Sequence, residues 1–280
     1  MTPTLQRSAA NWQRTLRKHN IRPTRSMGQN FLIDPSIVSA IVEIAEVGPE
    51  ELVIEVGPGM GILTRELLSL GARVIGVELD RELAAFLRED LRDIGSFSLV
   101  EQDARHVVVE DITAGRPYRV VANLPYSAAT VIIRRFMESP TPPSRMTVMV
   151  QKEVAERMTA PQGEMSLLGL ATDLYAQARI ALIVPSEVFL PPPKVESAVI
   201  DLLVREALRG SQVTRDRMFE LATMAFQRKR KTVSNGLSMG LSRPKAELDQ
   251  LLRSLDIDPK RRPQTLSVDE WLTIAGALPA

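Results

Sequence analysis

The chain has 280 residues, 25% charged and 44% apolar, with a net charge of +1 and no cysteine. That composition is that of an ordinary folded globular protein and excludes extensive disorder, disulfides, thiolate metal sites, iron-sulfur clusters and a cysteine nucleophile. Two histidines, His19 and His106, leave little for an imidazole cluster, so no metal is expected, and the lack of any apolar run of 18 residues argues against a transmembrane helix.

In chain order, residues 1–27 form a basic arm, with six Lys or Arg and no acid through residue 26. Such a stretch shares features with an organellar transit peptide. It is expected to belong to the mature chain, because a motif discussed below begins at Gly28, and a cytoplasmic location is expected. "LVIEVG" (52–57) is a short apolar, β-branched run ending in glycine, followed by "PGMG" and a helical pattern in "ILTRELLSLG". "ARVIGVELD" (72–80) predicts the next strand, then a helix through Leu83, Phe86, Leu87 and Leu91. "FSLVEQD" (97–103) and "YRVVANL" (118–124) follow as strands, with a helix near 128–138. "RMTVMVQ" (145–151) predicts a further strand, "KEVAERM" a helix, and residues 165–176 another. Two late runs, "ARIALIV" (178–184) and "ESAVIDLLV" (196–204), complete a strand-helix alternation. The expected fold is α/β: a doubly wound, mostly parallel Rossmann-like sheet over 28–206, with ligands at the carboxyl ends of the strands.

From 207 to 280 the pattern turns helical, in "TRDRMFELATMAFQ", "KAELDQLLRSLD" and "SVDEWLTIAGAL", the last opening with Ser267 and Glu270 at capping-box spacing. Residues 209–262 hold thirteen basic and six acidic groups, whereas 27–208 hold 16 basic and 26 acidic. An acidic body with two basic ends suits a polyanion gripped by those ends. A solvated basic surface is the alternative.

"EVGPGMG" sets Gly57, Gly59 and Gly61 at a strand-to-helix turn. A dinucleotide fingerprint would need glycine at 62, where this chain has Ile62, so close helix approach around a pyrophosphate is not provided. A nucleoside with an amino-acid tail needs only close backbone approach, and S-adenosylmethionine is the common ligand of that kind. Glu78 ends the second strand, where an acid can accept bonds from both ribose hydroxyls. Asp103 ends the third, where a carboxylate can accept from the adenine amine. Each acid alone could merely cap the next helix.

"NLPY" (123–126) ends the fourth strand. An amine conjugated to a purine is a poor nucleophile because its lone pair is delocalised. If the Asn123 side-chain oxygen and the Leu124 carbonyl accept both amine hydrogens, the nitrogen is drawn toward tetrahedral geometry with its lone pair aimed at a methyl donor. Pro125 stiffens the turn. Tyr126 offers a flat face to a base taken out of its stack. An Asx-type turn with a structural tyrosine is the bland alternative.

Taken together, "GQNFL" (28–32), "EVGPGMGILT", "GVELD", "EQDA", "NLPY", "VQKEVAERM", "FLPPPKVESAV" (189–199) and "FQRKRKT" (226–232) resemble the KsgA/RsmA family of small-subunit ribosomal RNA adenine dimethyltransferases over residues 15–275. The resemblance implies a class I methyltransferase sheet domain with a small all-α C-terminal domain, and methyl transfer from S-adenosylmethionine to N6 of two adjacent adenosines in the 3′-terminal hairpin loop of small-subunit (16S) RNA, late in assembly of the 30S particle. It implies that Asn30 and Leu32 contact the methionine part of the cofactor, Gly57 and Gly59 its backbone turn, Glu78 the ribose and Asp103 the adenine. It further implies that Asn123 lies against the cofactor and orients the amine, that Tyr126 and Phe189 stack on the target base, and that "PPPKVES" shapes the pocket. Arg228, Lys229, Arg230 and Lys231 would grip RNA phosphates. The arm is longer than in the shortest members, which leaves the role of residues 1–14 open.

The expected reaction is in-line displacement without a covalent enzyme intermediate and without a dedicated strong base, in a pocket that tolerates one methyl already added. A monomer is expected, since the partner is so large. Three rivals stand beside this reading: a large-subunit RNA methylase of the macrolide-resistance type, a non-catalytic assembly factor on the same fold, and a DNA adenine methylase.

Overall fold

A computed structural model describes Trp12, Arg14, Thr15, Lys18, His19, Ile21, residues 29–228 and residues 230–279. Most of the arm, with Gly28 and Lys229, lies outside the described residues. The chain divides into two compact units, one running to Ala155 and resuming over Ala178–Val204, the other made of Glu156–Gln177 and the chain from Arg205 on.

The first unit is built on a seven-stranded sheet. β2 (Leu52–Val56), β3 (Arg73–Glu78), β4 (Phe97–Glu101), β5 (Arg119–Asn123) and β6 (Arg145–Gln151) are parallel, and β9 (Ser197–Val204) runs antiparallel to β6. With β7 (Ala176–Val184) the order is β4-β3-β2-β5-β6-β9-β7. All five residues of β2 are buried, as expected for an inner strand covered on both faces. β1 (Phe31–Leu32) and β8 (Phe189–Leu190) form a separate two-stranded ladder.

Helices follow the strands. α1 (Pro35–Ala45) starts at Asp34, whose carboxylate accepts from the Ser36 and Ile37 N–H groups, and has proline in its first turn. α2 (Ile62–Ser69) follows the glycine turn, and Gly57, Gly59 and Gly61 all have positive φ (67°, 58° and 74°). At Gly61 a Cβ would come within 2.9 Å of Leu87 Cδ2, so glycine answers both backbone and packing there. α3 (Arg81–Asp90) is capped by Asp80 and buries Leu83, Ala84, Phe86 and Leu87. α4 (Val109–Thr113), α5 (Ala129–Met137) and α6 (Lys152–Met158) complete the series. Trp12 and Ile21 are buried against Met60, Phe86, Leu87 and Leu91, so this part of the arm is core rather than a loose tail.

The second unit holds α7 (Leu167–Tyr175), α8 (Gln212–Phe226), α9 (Val233–Leu241), α10 (Lys245–Ser254) and α11 (Val268–Ala277). The capping box of Ser267 and Glu270 forms as its spacing predicts. Segment 156–177, which strand-helix alternation groups with the sheet, contacts the C-terminal helices instead. The Gly163 N–H donates to the Gln264 carbonyl at 3.0 Å, and Asp173 pairs with Arg205 and Arg209.

Candidate active site

The carboxyl ends of β2, β3, β4 and β5 share one cavity of about 360 Å³, which Gln29, Asn30, Phe31 and Leu32 also line. Parallel strands bring their ends to one edge, so residues far apart in sequence become neighbours there.

Gly57 and Gly59 form the turn beneath it. A Cβ on Gly59 would meet Phe31 Cε1 at 3.2 Å, so the glycine lets backbone, ring and ligand come close. Glu78, only 5% exposed, accepts from the Gly59 N–H at 3.0 Å and the Asp80 N–H at 2.9 Å. Burial is the dominant influence and lifts its carboxyl above the ordinary value, against the opposing effect of those two bonds.

Asp103 sits in the opposite environment. Its carboxylate receives the Arg105 Nε on both oxygens at 3.0 Å, the Arg105 Nη2 at 2.5 Å and the Arg105 backbone N–H at 2.9 Å. The guanidinium holds the Asp103 carboxyl below its usual range. A carboxylate has about four lone-pair positions, so the intended adenine acceptor is already in use. Sequence reasoning named Asp103 and passed over Arg105, whose signal was a cation two residues downstream.

It also passed over Glu55, the acid two residues ahead of Gly57 in an otherwise apolar strand. Glu55 lines the cavity, is 2% exposed, and burial pushes its carboxyl up to about 8. Its Oε2 has no hydrogen-bond partner among the described residues. Thr64 lies against this carboxyl and opposes the rise, but the unbonded Oε2 is complemented by an ammonium group, which the amino-acid tail of S-adenosylmethionine carries. The donor set therefore fits that cofactor.

Asn123 lines the same cavity. Its Nδ2 donates to the Asn30 carbonyl at 3.2 Å, which settles which end of the carboxamide is nitrogen and leaves Oδ1 as the acceptor. The Leu124 N–H donates to the Met149 carbonyl at 3.2 Å, fixing that peptide plane, and the Ala128 N–H closes the turn on the Pro125 carbonyl at 3.0 Å. Tyr126 is half-buried, which lifts its phenol above the ordinary value, and its hydroxyl lies 2.6 Å from Ser197 Oγ. Segment 29–32 is tied to the cavity wall by Asn30 to Asn123 and by Gln29 Nε2 donating to Asp80 Oδ2 at 2.9 Å, besides the β1-β8 ladder.

Of the residues singled out in the sequence, Asn30, Leu32, Gly57, Gly59, Glu78, Asp103, Asn123, Leu124 and Tyr126 all line this cavity. Phe189 does not. It is 2% exposed, pairs with Leu32 across the β1-β8 ladder and packs in the core with Val184 and Val199, so it offers no free face to a base. Arg228, Arg230 and Lys231 are exposed just past the end of α8, and Lys229 lies outside the described residues. Among the described residues, no group of three or more His, Asp or Glu could hold a metal ion, and no helix is long and apolar enough to cross a membrane.

Comparison with known proteins places the chain among ribosomal RNA methyltransferases. The family model described as "Ribosomal RNA adenine dimethylase" matches residues 19–278. The ribosomal RNA small subunit methyltransferase A of Alkaliphilus metalliredigens is 39% identical over 92% of this chain and 92% of its own. That of Dehalococcoides mccartyi is 38% identical over 90% and 87%. Among solved structures, a dimethyladenosine transferase from Plasmodium falciparum superposes with a TM-score of 0.74 at 25% identity, covering 87% of this chain and 95% of that one. The 23S rRNA methyltransferase ErmE superposes with a TM-score of 0.70 at 27% identity, covering 89% and 99%. The chain belongs to the ribosomal RNA adenine dimethylase family.

Proposed function

We propose that this protein transfers methyl groups from S-adenosylmethionine to N6 of two adjacent adenosines in the 3′-terminal hairpin loop of small-subunit ribosomal RNA, giving N6,N6-dimethyladenosine as the particle assembles in the cytoplasm. The observation that carries this reading is the Asn123 carboxamide, held by the Asn30 carbonyl on the cavity that Glu55, Glu78 and Asp103 also line. S-adenosylmethionine, when bound, supplies an electrophilic methyl on a sulfonium.

The chain's own residues do the rest. Glu55 pairs with the ammonium of the amino-acid tail, Glu78 holds the ribose, and Asp103 takes the adenine amine once Arg105 yields. Asn123 Oδ1 and the Leu124 carbonyl accept the two hydrogens of the target amine, while Tyr126 stacks on the base. These residues would hold the N6 lone pair toward the methyl that the bound cofactor would supply, the C–S electron pair being retained on its sulfur, and leave the amine proton free to pass to water. The arrangement supplies orientation and acceptors, and no titrating base is needed. Outside the cavity, Arg228, Arg230 and Lys231 neutralise RNA phosphates.

Mass spectrometry of nucleosides from unmodified small subunits, incubated with the protein and labelled cofactor, tests the reading. Labelled N6,N6-dimethyladenosine is expected, and unchanged RNA would refute it. The likeness to a 23S rRNA methyltransferase makes a large-subunit substrate the second reading. Parallel incubation with purified large subunits separates the two.

A further inference from the structure

Tyr126 has a single polar atom, and the fold gives it a specific partner. Its hydroxyl lies 2.6 Å from the Ser197 hydroxyl, at the head of β9. Ser197 is completely buried and sits opposite Gln151 of β6, the last register pair of that ladder. Just beyond that pair, the Lys152 N–H donates to the Glu196 carbonyl at 3.0 Å and the Lys152 ammonium pairs with the Glu196 carboxylate at 2.8 Å. A buried hydroxyl is costly unless it is bonded, and Tyr126 supplies the bond. The small polar residue that opens an otherwise mostly apolar buried strand thus points at the aromatic ring on the cavity wall.

We propose that Ser197 is a positioning residue for methyl transfer: bonded to the Tyr126 hydroxyl, it sets the plane of the ring on which the target base stacks, and so governs whether a base stays for its second methyl. This rests on the reading of Tyr126 as the stacking face. A tyrosine ring turns about two torsions, the outer of them broad, and a bond at its far end restrains both. The demand on that restraint differs between the two transfers. In the first, Asn123 and Leu124 hold the amine by both hydrogens. Before the second, the exocyclic C–N bond must rotate to present the one hydrogen left. During that rotation those acceptors are given up and stacking alone keeps the base in place. A loosened ring therefore costs the second transfer more than the first, and monomethyladenosine escapes.

The test uses the full-length protein, unmodified small subunits and labelled cofactor, with monomethyl- and dimethyladenosine counted at limited turnover. Ser197→Ala is expected to raise the monomethyl-to-dimethyl ratio about fivefold, the factor that one neutral hydrogen bond corresponds to. Tyr126→Phe is expected to match it, the double variant to be no worse than either single one, and Ser197→Thr to restore the wild-type ratio. Cofactor affinity, measured by direct titration, is expected to stay within about twofold of the wild type. An unchanged ratio in Ser197→Ala, with Tyr126→Ala inactive, would overturn the proposal and leave the stacking role standing. So would effects of the two single changes that multiply in the double. Wild-type transfer by Tyr126→Ala would instead remove the stacking role itself. Should Ser197→Ala fail to fold, Tyr126→Phe decides, since it breaks the same bond and keeps the buried serine: a wild-type ratio there overturns the proposal.

Discussion

The cavity at the ends of β2 to β5 and the basic turn after α8 are both polar, but they are built on opposite terms. In the cavity most polar side chains are already bonded to the fold: Asn123 to Asn30, Tyr126 to Ser197, Glu78 to Gly59 and Asp80, Asp103 to Arg105. In the turn Arg228, Arg230 and Lys231 are exposed, and no ion pair joins them to a described carboxylate. Polar atoms fixed in advance act strongly at the point of reaction, because little reorganisation is needed. Solvated cations act collectively, through release of counterions from a phosphate backbone. The comparison teaches that single replacements should be severe in the first region and slight in the second.

The largest effects should come from two cavity residues with opposite signatures. Asn123→Ala is expected to lower turnover by about 100- to 1000-fold, the scale for removing one group that orients a reacting centre. Its cofactor affinity should stay within about threefold, because the role proposed for the lost oxygen is toward the target base. Glu78→Ala is expected to weaken cofactor binding by about 10- to 100-fold through lost charge-assisted hydrogen bonds. Calorimetric titration beside single-turnover rates separates them. Equal loss of affinity and rate at Asn123 would break the assignment.

Next in size is a pH effect expected of a buried carboxyl whose charged form is poorly solvated. The Glu55 carboxyl is raised from about 4.5 to about 8 by burial. An acid whose folded value is raised gives its full stability below its unfolded value and loses it as pH climbs to the folded one. The cofactor-free protein should therefore lose stability between about pH 4.5 and 8 and then level off. Glu55→Gln should flatten that slope. A bound ammonium favours the carboxylate, so cofactor affinity should rise over the same window with release of a proton. Titrations in buffers of different ionisation enthalpy measure that proton. No release would remove the assigned pairing.

A smaller effect, of the opposite sign, is expected beside Asp103. Arg105 fills the acceptor proposed for adenine, and the Arg105 side chain is 48% exposed. Exposed pairs contribute at most about 1 kcal/mol, so Arg105→Gln should tighten cofactor binding by no more than about fivefold. Weaker binding would mean that the guanidinium supports the adenine site rather than competing for it.

Much of the first region was legible because its signals are local. Buried β-branched runs mark β2, β3 and β5, and a glycine turn needs positive φ wherever it occurs. α1 went unread although Asp34 and Pro35 announce its start. α9 was hidden by composition, since it contains Gly236 and Gly240. A Cβ on Gly236 would come within 2.9 Å of Ala225 Cα, so close packing on α8 requires what helix propensity disfavours. Phe189 misled for a related reason. Beside three prolines it looks like an exposed loop residue, yet ladder pairing with Leu32 draws it into the core. The Tyr126–Ser197 bond spans 71 residues and the Gln162–Thr265 bond 103. Pairings of that range depend on sheet order and helix packing, which no local pattern records.

The smallest single effects belong to the turn. Arg228 and Lys231 follow the C-terminal end of α8, so the helix end gains from their charge even without RNA. Neutralising Arg228, Arg230 or Lys231 one at a time should weaken small-subunit binding only a few-fold, while each lost phosphate contact lowers the slope of log affinity against log salt by about one. Combined neutralisation should therefore steadily flatten the salt dependence, with cofactor affinity left alone and folding stability lowered only slightly. A loss that is large at one position and insensitive to salt would mean that this arginine or lysine reads a particular RNA group at fixed geometry. The turn would then resemble the cavity, and the contrast between the two regions would fail.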